Sequence, residues 1–226
     1  MKIGIIGYGK MGREIEQVAL EHGHVIIFKI NSKNTHELNT KNLSAIDIAI
    51  EFSTPKSAFE NISFCLMNNT PIISGTTGWI KKIDQIHTLC KEKKGAFLYA
   101  ENFSIGMNIF FQLNKYLAEL MILKNYDLQI TETHHESKKD TPSGTAIKIE
   151  SDIKKSLKKD GEIPIKSNRI GNIKGEHEVE YFAESDSIHI KHTAHNRKGF
   201  AKGVILATEF LENKTGIFSM RDVIKN

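Results

Sequence analysis

Lys2-Ile3-Gly4-Ile5-Ile6-Gly7-Tyr8-Gly9-Lys10-Met11-Gly12-Arg13 is the stretch that decides the fold. Ile3, Ile5 and Ile6 make a short apolar run that reads as a buried strand. The three glycines follow at once, and a helical pattern continues to about His22, with Ile15, Val18 and Ala19 on one face and Gly23 as its stop. Glycines spaced G-x-G-x-x-G between a strand and a helix have a physical meaning. Gly7 permits the tight turn, Gly9 lets the backbone approach a pyrophosphate, and Gly12 lets helix and strand pack closely. The helix start adds unpaired N–H groups and the positive end of its dipole. Gly7, Tyr8, Gly9, Lys10, Met11 and Gly12 are therefore candidate cofactor-binding residues, against the alternative of a glycine turn that has lost its ligand.

Working outward, Val25–Ile30 reads as a second strand and Ile46–Phe52 as a third, closing at Ser53-Thr54-Pro55. A helix over Lys56–Met67, a strand over Pro71–Ser74, a helix over Trp79–Lys93 and a strand over Ala96–Ala100 complete the first half. This alternation predicts an α/β, doubly wound parallel sheet, whose ligands bind beyond the carboxyl ends of the strands. Gly75, Thr76 and Thr77, after the fourth strand, are placed against a ribose or nicotinamide; the plainer reading is a polar turn before a helix. Asn31 stands where the adenosine ribose is read. It can hydrogen-bond a hydroxyl but carries no charge to repel a 2′-phosphate, and Lys29 and Lys33 flank it, so the expected cofactor is NADH and/or NADPH.

The second half changes character. Helical periodicity over Met107–Leu123 is followed by a half-exposed strand at Tyr126–His134, a helix over Ser143–Leu157, a strand-like tract from Arg169 to His195 and a helix over Phe200–Leu211. A boundary near residue 103 follows. Residues 1–103 and 204–226 are read as the dinucleotide-binding domain, and 104–203 as an α+β substrate domain with which the chain leaves and returns.

Composition narrows the class. The 226 residues are 39% hydrophobic and 26% charged, with a formal net charge of +4. Lysine clusters at Lys91–Lys94 and Lys154–Lys159 read as solvated helix faces, and no basic stripe points to nucleic acid. No apolar run approaches the roughly 20 residues that span a bilayer, and no signal-peptide pattern opens the chain. A cytoplasmic protein is expected, with Cys65 and Cys90 as buried, inert thiols.

His134-His135-Glu136-Ser137-Lys138-Lys139-Asp140-Thr141-Pro142-Ser143-Gly144-Thr145-Ala146 carries the reaction chemistry. Ser143 or Thr141 can cap the helix that follows, and the Gly144 and Thr145 N–H groups can hold a carboxylate. Lys138 and one imidazole add positive charge, so an anionic, carboxylated small molecule fits as substrate. Histidine titrates near neutrality and can deliver a proton beside a hydride acceptor. A solvated polar loop is the plainer alternative. No metal is expected, since adjacent histidines share one tetrahedral ion poorly and no third ligand stands out.

These motifs resemble those of the dihydrodipicolinate reductase family, the 4-hydroxy-tetrahydrodipicolinate reductases of bacterial lysine and diaminopimelate synthesis. The resemblance runs nearly end to end. It takes in Gly7 to Arg13, Ser53-Thr54-Pro55, Gly75 to Gly78, Glu101-Asn102-Phe103-Ser104-Ile105-Gly106, the His134-His135 pair with Lys138, and Pro142-Ser143-Gly144-Thr145-Ala146. Arg169-Ile170-Gly171, Gly175-Glu176-His177 and Met220-Arg221-Asp222-Val223 complete it. It implies a Rossmann-type domain and a central domain whose open mixed sheet builds a homotetramer; the domain split itself favours hinge closure that brings cofactor and substrate together. The implied reaction is NAD(P)H-dependent reduction of (2S,4S)-4-hydroxy-2,3,4,5-tetrahydrodipicolinate to (S)-2,3,4,5-tetrahydrodipicolinate. His134 matches the proton donor and Lys138 the second catalytic cation. His135, Ser143, Gly144 and Thr145 match the substrate contacts, and Ala100, Glu101, Asn102 and Phe103 the nicotinamide side. Asn31 departs from the acid that short members tend to carry, so use of both cofactors is expected. Two other readings are another amino-acid dehydrogenase on this architecture, such as an aspartate dehydrogenase, and a nucleotide sensor without chemistry.

Overall fold

Ten strands and eight α-helices occur among residues 1–158 and 161–225, which are the residues described by the computed structural model. Lys159 of the expected lysine cluster, and Asn226, lie outside them. Two units separate by contact density: residues 1–105 with 198–226, and residues 106–197.

In the first unit, β1 (Lys2–Ile6), β2 (Val25–Ile30), β3 (Ile48–Glu51), β4 (Ile72–Ser74), β5 (Ala96–Tyr99) and β10 (Gly216–Phe218) form one parallel sheet. Its order is β10-β5-β4-β3-β1-β2. Both faces are covered, which explains why the strands are almost unbroken apolar runs. On one face Ile3, Ile5, Ile50, Ile73 and Leu98 pack with residues of α1 (Lys10–Glu21), α7 (Lys198–Leu211) and α8 (Met220–Lys225). On the other, Ile6, Ala49, Ile72 and Phe97 pack with residues of α3 (Pro55–Met67) and α4 (Ile83–Glu92). The short helix α2 (Thr40–Leu43) is capped by the Asn39 side chain, which accepts from the Asn42 N–H. The helix expected from Trp79 begins instead as a 3-10 turn, Ile80–Lys82, and only then becomes α4. Strand β10 had no signal in the sequence, because three residues give no period to read.

The second unit contains α5 (Ile105–Leu120, whose first residue belongs to the other unit), β6 (Asp127–His134), α6 (Gly144–Leu157), β7 (Ile165–Arg169), β8 (Glu176–Phe182) and β9 (Ser187–Thr193). The sheet order is β7-β6-β8-β9, with β6 and β7 parallel and the other pairs antiparallel. The strand-like tract expected from Arg169 starts earlier, at Ile165, and Arg169 is the last residue of its first strand. Lys166, Ser167, Asn168 and Arg169 offered no apolar alternation to mark it. Ile130, Val179 and Tyr181 pack against Phe110, Ile149 and Ile153 of α5 and α6. The whole is an α/β Rossmann-type sheet accompanied by an α+β unit with an open mixed sheet.

Candidate active site

All strands of the first sheet are parallel, so their carboxyl ends share one edge, and the loops expected to hold a dinucleotide leave from it. Gly7 has φ +102, and a Cβ there would lie 2.1 Å from the Phe52 carbonyl oxygen. Its N–H and that of Tyr8 both donate to the Ile30 carbonyl, at 2.9 and 2.8 Å. A Cβ on Gly12 would meet the Gly7 oxygen at 2.6 Å, whereas nothing lies within 4 Å of one on Gly9. The turn thus keeps Gly9, the residue before α1, open to a ligand, and a pyrophosphate fits the helix start behind it. Lys10 is exposed, and Met11 packs partly against the core. The Tyr8 hydroxyl donates to Glu16, and this bond leads burial in raising the Tyr8 pKa.

Lys29 is not available in the way its position suggested. Its ammonium pairs with Glu16 at 2.9 Å and lies 5.0 Å from the centre of the Tyr8 ring. Asn31 is exposed; its side-chain oxygen accepts the Lys33 N–H at 2.8 Å.

Sequence reading passed over Glu51, the last residue of β3, which is 0% exposed. Its carboxylate accepts from the Ser53 N–H at 2.9 Å, the Ser74 hydroxyl at 2.6 Å and the Thr76 hydroxyl at 2.9 Å, and also from the Ser53 hydroxyl. One buried acid therefore fixes the loops after β3 and β4. Gly75 packs on Phe52, Thr76 is buried and Thr77 is exposed. Beyond β5, Ala100 and Asn102 are partly buried, Glu101 is exposed, and the Phe103 side chain belongs to the core.

The second unit gathers Glu132, His134 and His177 on the core-facing side of its sheet. Along β6 the row Leu128, Ile130 continues to Glu132 and His134, and along β8 the row Tyr181, Val179 continues to His177. Pairing sets His177 opposite Glu132, and Arg169 in register with His134. His134 Nδ1 bonds to the Glu132 carboxylate, and the His134 and His177 rings meet edge to face with centroids 5.1 Å apart. Arg169 Nη1 is 2.9 Å from the other Glu132 oxygen. Burial lowers the His134 pKa, against the opposing pull of Glu132. Burial of Glu132 works to raise its pKa, but neighbouring Ser167, Arg169 and His134 outweigh this and leave it lowered. Glu132, His134 and His177 offer potential metal-ligand atoms within 4.8 Å of one another. The carboxylate and the imidazole are already bound to each other, and a guanidinium neutralises the acid.

Lys138 donates to both oxygens of Asp140 at 2.8 Å. His135 Nδ1 is 2.8 Å from the Ser137 hydroxyl. Ser143 is the cap of α6, accepting the Ala146 N–H at 3.2 Å and lying 3.4 Å from His177 Nε2. Gly144 is exposed and Thr145 partly so, leaving this helix start accessible. Sequence reading passed over Glu132 and quoted Arg169 and His177 only within motifs, with no site role, although extending the two-residue period of each strand by one step reaches Glu132 and His177.

Burial, followed by the charge of His134, pushes His177 down to about 3. An unfolded chain binds a proton there near the ordinary value of 6.5, which the native state refuses. Stability from this group is therefore present above about pH 6.5 and declines towards pH 3, with a slope approaching about 1.4 kcal/mol per pH unit. Urea melts of wild type and His177→Asn at pH 7, 5 and 4 should show a flatter acid decline in the variant. Parallel declines would assign acid sensitivity elsewhere.

Comparison with known proteins now decides the family. The model for the N-terminus of dihydrodipicolinate reductase matches residues 1–103, and that for its C-terminus matches residues 106–224. The chain belongs to the dihydrodipicolinate reductase family. It is thus an oxidoreductase of diaminopimelate and lysine synthesis. A 4-hydroxy-tetrahydrodipicolinate reductase of Christiangramia forsetii is 43% identical, covering 100% of this chain and 98% of that one. The enzyme of that name from Thermosipho africanus is 36% identical, with 100% and 98% covered. The fold matches a dipicolinate-bound dihydrodipicolinate reductase from Paenisporosarcina sp. TG-14 at a TM-score of 0.82 and 23% identity, with 97% of each chain covered. A nicotinamide cofactor accordingly goes with the Rossmann-type domain of this reductase.

Proposed function

We propose that this member of the family reduces 4-hydroxy-tetrahydrodipicolinate to tetrahydrodipicolinate with His134 as proton donor and with either NADH or NADPH. The observation that carries this reading is the bond of His134 Nδ1 to buried Glu132, which leaves Nε2 as the nitrogen that exchanges a proton. The nicotinamide supplies the hydride when bound. Gly7 to Gly12 hold the pyrophosphate, and Asn31, Gly75, Thr76, Thr77 and the backbone of Ala100 to Phe103 line the rest of the cofactor. Residues 1–103 and 204–226 serve the dinucleotide, and 104–203 the substrate.

His135, Ser143 and the N–H groups of Gly144 and Thr145 hold a carboxylate of the dicarboxylate substrate. Lys138 gives up Asp140 for substrate, exchanging one carboxylate for another, so its charge is neutralised before and after binding. Once the substrate has lost its 4-hydroxyl as water, giving a conjugated cyclic imine, and that imine has taken up the hydride, protonated His134 passes its proton to the reduced system. Asn31 brings no negative charge against a 2′-phosphate, and this supports use of both cofactors.

A homotetramer fits the surface of the second unit. Exposed Ile109, Leu113, Tyr116 and Leu120 recur along α5, and among the described residues β9 has a strand partner on one side only. Among the described residues no helix is long and apolar enough to cross a membrane. Cys65 and Cys90 are free and buried, as suits a reducing cytoplasm.

Purified protein, with substrate generated in situ by dihydrodipicolinate synthase, should oxidise NADH and NADPH only while the synthase is active. Rates within about tenfold of each other are expected, a difference worth about 1.4 kcal/mol in the barrier. Cofactor binding without turnover would favour a sensor. A strong preference for one cofactor would overturn the dual-use assignment.

A further inference from the structure

The His134 ring is held from below by a chain of contacts that ends at Lys138. Glu132 is 0% exposed and lies two residues before His134 on the same face of β6. One of its oxygens bonds His134 Nδ1, and the other forms an ion pair with Arg169 Nη1 at 2.9 Å. The Arg169 guanidinium reaches onward. Its Nη2 donates to the Asp140 carbonyl at 2.6 Å and to the Thr141 hydroxyl at 3.0 Å, while Nη1 donates to the Asn168 carbonyl at 2.7 Å. Asp140 in turn holds the Lys138 ammonium.

We propose that Glu132 is a positioning residue for the reaction, fixing the tautomer and direction of His134 and, through Arg169, the placement of the loop that carries Lys138. This rests on the reading of His134 as proton donor.

An ionised carboxylate only accepts hydrogen bonds, so the proton on the bonded imidazole nitrogen is fixed at Nδ1. The same acid anchors a guanidinium whose other arm bonds the backbone between Lys138 and Pro142. One charge thereby sets two cationic side chains relative to each other, though they stand on different elements. Packing alone does not account for this arrangement. The rows that lead to it are Leu128 and Ile130 on one strand and Tyr181 and Val179 on the next, and an apolar residue would continue them. Taking a carboxylate and a guanidinium out of water costs several kcal/mol per ion before their attraction is counted.

The charged and titratable groups facing His134 are Glu132 on its own strand, Arg169 on β7, His177 on β8 and Lys138 in the following loop. Of these, Glu132 supports the imidazolium, whereas Lys138 and Arg169 oppose it. Removing the Glu132 charge therefore makes His134 lose its proton at lower pH. Turnover that needs the imidazolium then falls away at lower pH.

Glu132→Gln is the decisive variant. One amide oxygen cannot serve two donors. Its NH₂ must face either His134 Nδ1, turning the tautomer, or Arg169, setting donor against donor. The expected result is a 10- to 100-fold loss of kcat at pH 7 and an alkaline limb of the kcat profile moved to lower pH. NADH affinity, read by fluorescence, should stay within about twofold. Glu132→Asp keeps the charge with shorter reach, and should lose less turnover with a smaller displacement of the limb. It provides the same test if the Gln variant does not fold. Arg169→Lys should raise KM for substrate more than it moves the limb.

Wild-type kcat with an unmoved alkaline limb, in whichever of Glu132→Gln and Glu132→Asp folds, would overturn the proposal. So would losses that merely follow a fall in NADH affinity. His134→Gln assayed in parallel separates the two levels. If it is slow while the Glu132 variants are normal, positioning fails alone. If it turns over fully, the proton-donor reading fails and the positioning role fails with it.

Discussion

His134→Gln is expected to bind NADH as the wild type does and to turn over 10²- to 10⁴-fold more slowly, the usual contribution of a positioned acid or base. The glutamine amide can still bond the Glu132 carboxylate, so the local fold has a partner for the buried acid. It cannot titrate, so it has no proton to give. The candidate dinucleotide residues lie in the first unit and His134 in the second, which is why affinity and turnover should separate. Fluorescence titration with NADH and single-turnover kinetics read the two quantities independently. Lys138→Ala should behave differently, lowering kcat and raising KM together, because on the proposed reading its ammonium exchanges the Asp140 carboxylate for one of the substrate's. Loss of NADH binding in His134→Gln would contradict the division of roles. Full turnover would remove His134 from the proton transfer.

The parts legible in the sequence were those written locally. Gly7 and Gly12 report a turn and a close contact within six residues, and the helix cap at Ser143 stands directly before the helix it caps. The long-range partners were not legible in the same way. Arg169 meets Glu132 because β7 pairs in parallel with β6, and residue spacing does not reveal that register. Lys29 looked free to meet a phosphate, but Glu16 lies 13 residues earlier in the chain and reaches it from α1. Glu51 shows the same limit in another form. Near the end of an apolar strand it drew no attention, yet it is wholly buried because four donors from Ser53, Ser74 and Thr76 converge on it. An acid closing an apolar row is thus a readable signal. Glu132 is the second instance in this chain.

Gly9→Ala is expected to fold normally and to bind NADH about 10- to 100-fold more weakly, a cost of about 1.4–2.8 kcal/mol. Gly7→Ala is its counterpart. At Gly7 the backbone has φ +102 and the new methyl would lie 2.1 Å from the Phe52 carbonyl, so the fold itself must give way. A loss of more than about 2 kcal/mol follows from strain plus clash, or a drop of roughly 4–8 °C in Tm for a chain of this size. Gly9 has φ −94, which a side chain tolerates, and nothing within 4 Å of its Cβ position. A methyl there should change stability by no more than about 0.5 kcal/mol. The same methyl would stand where a pyrophosphate must approach the start of α1, so the penalty falls on the bound state alone. Thermal melts and NADH titrations on the two variants therefore separate what the turn does for the sheet from what it does for the cofactor. Wild-type NADH affinity in a stable Gly9→Ala protein would mean that the fold alone requires the glycines, and the pyrophosphate would have to be sought elsewhere along the sheet edge.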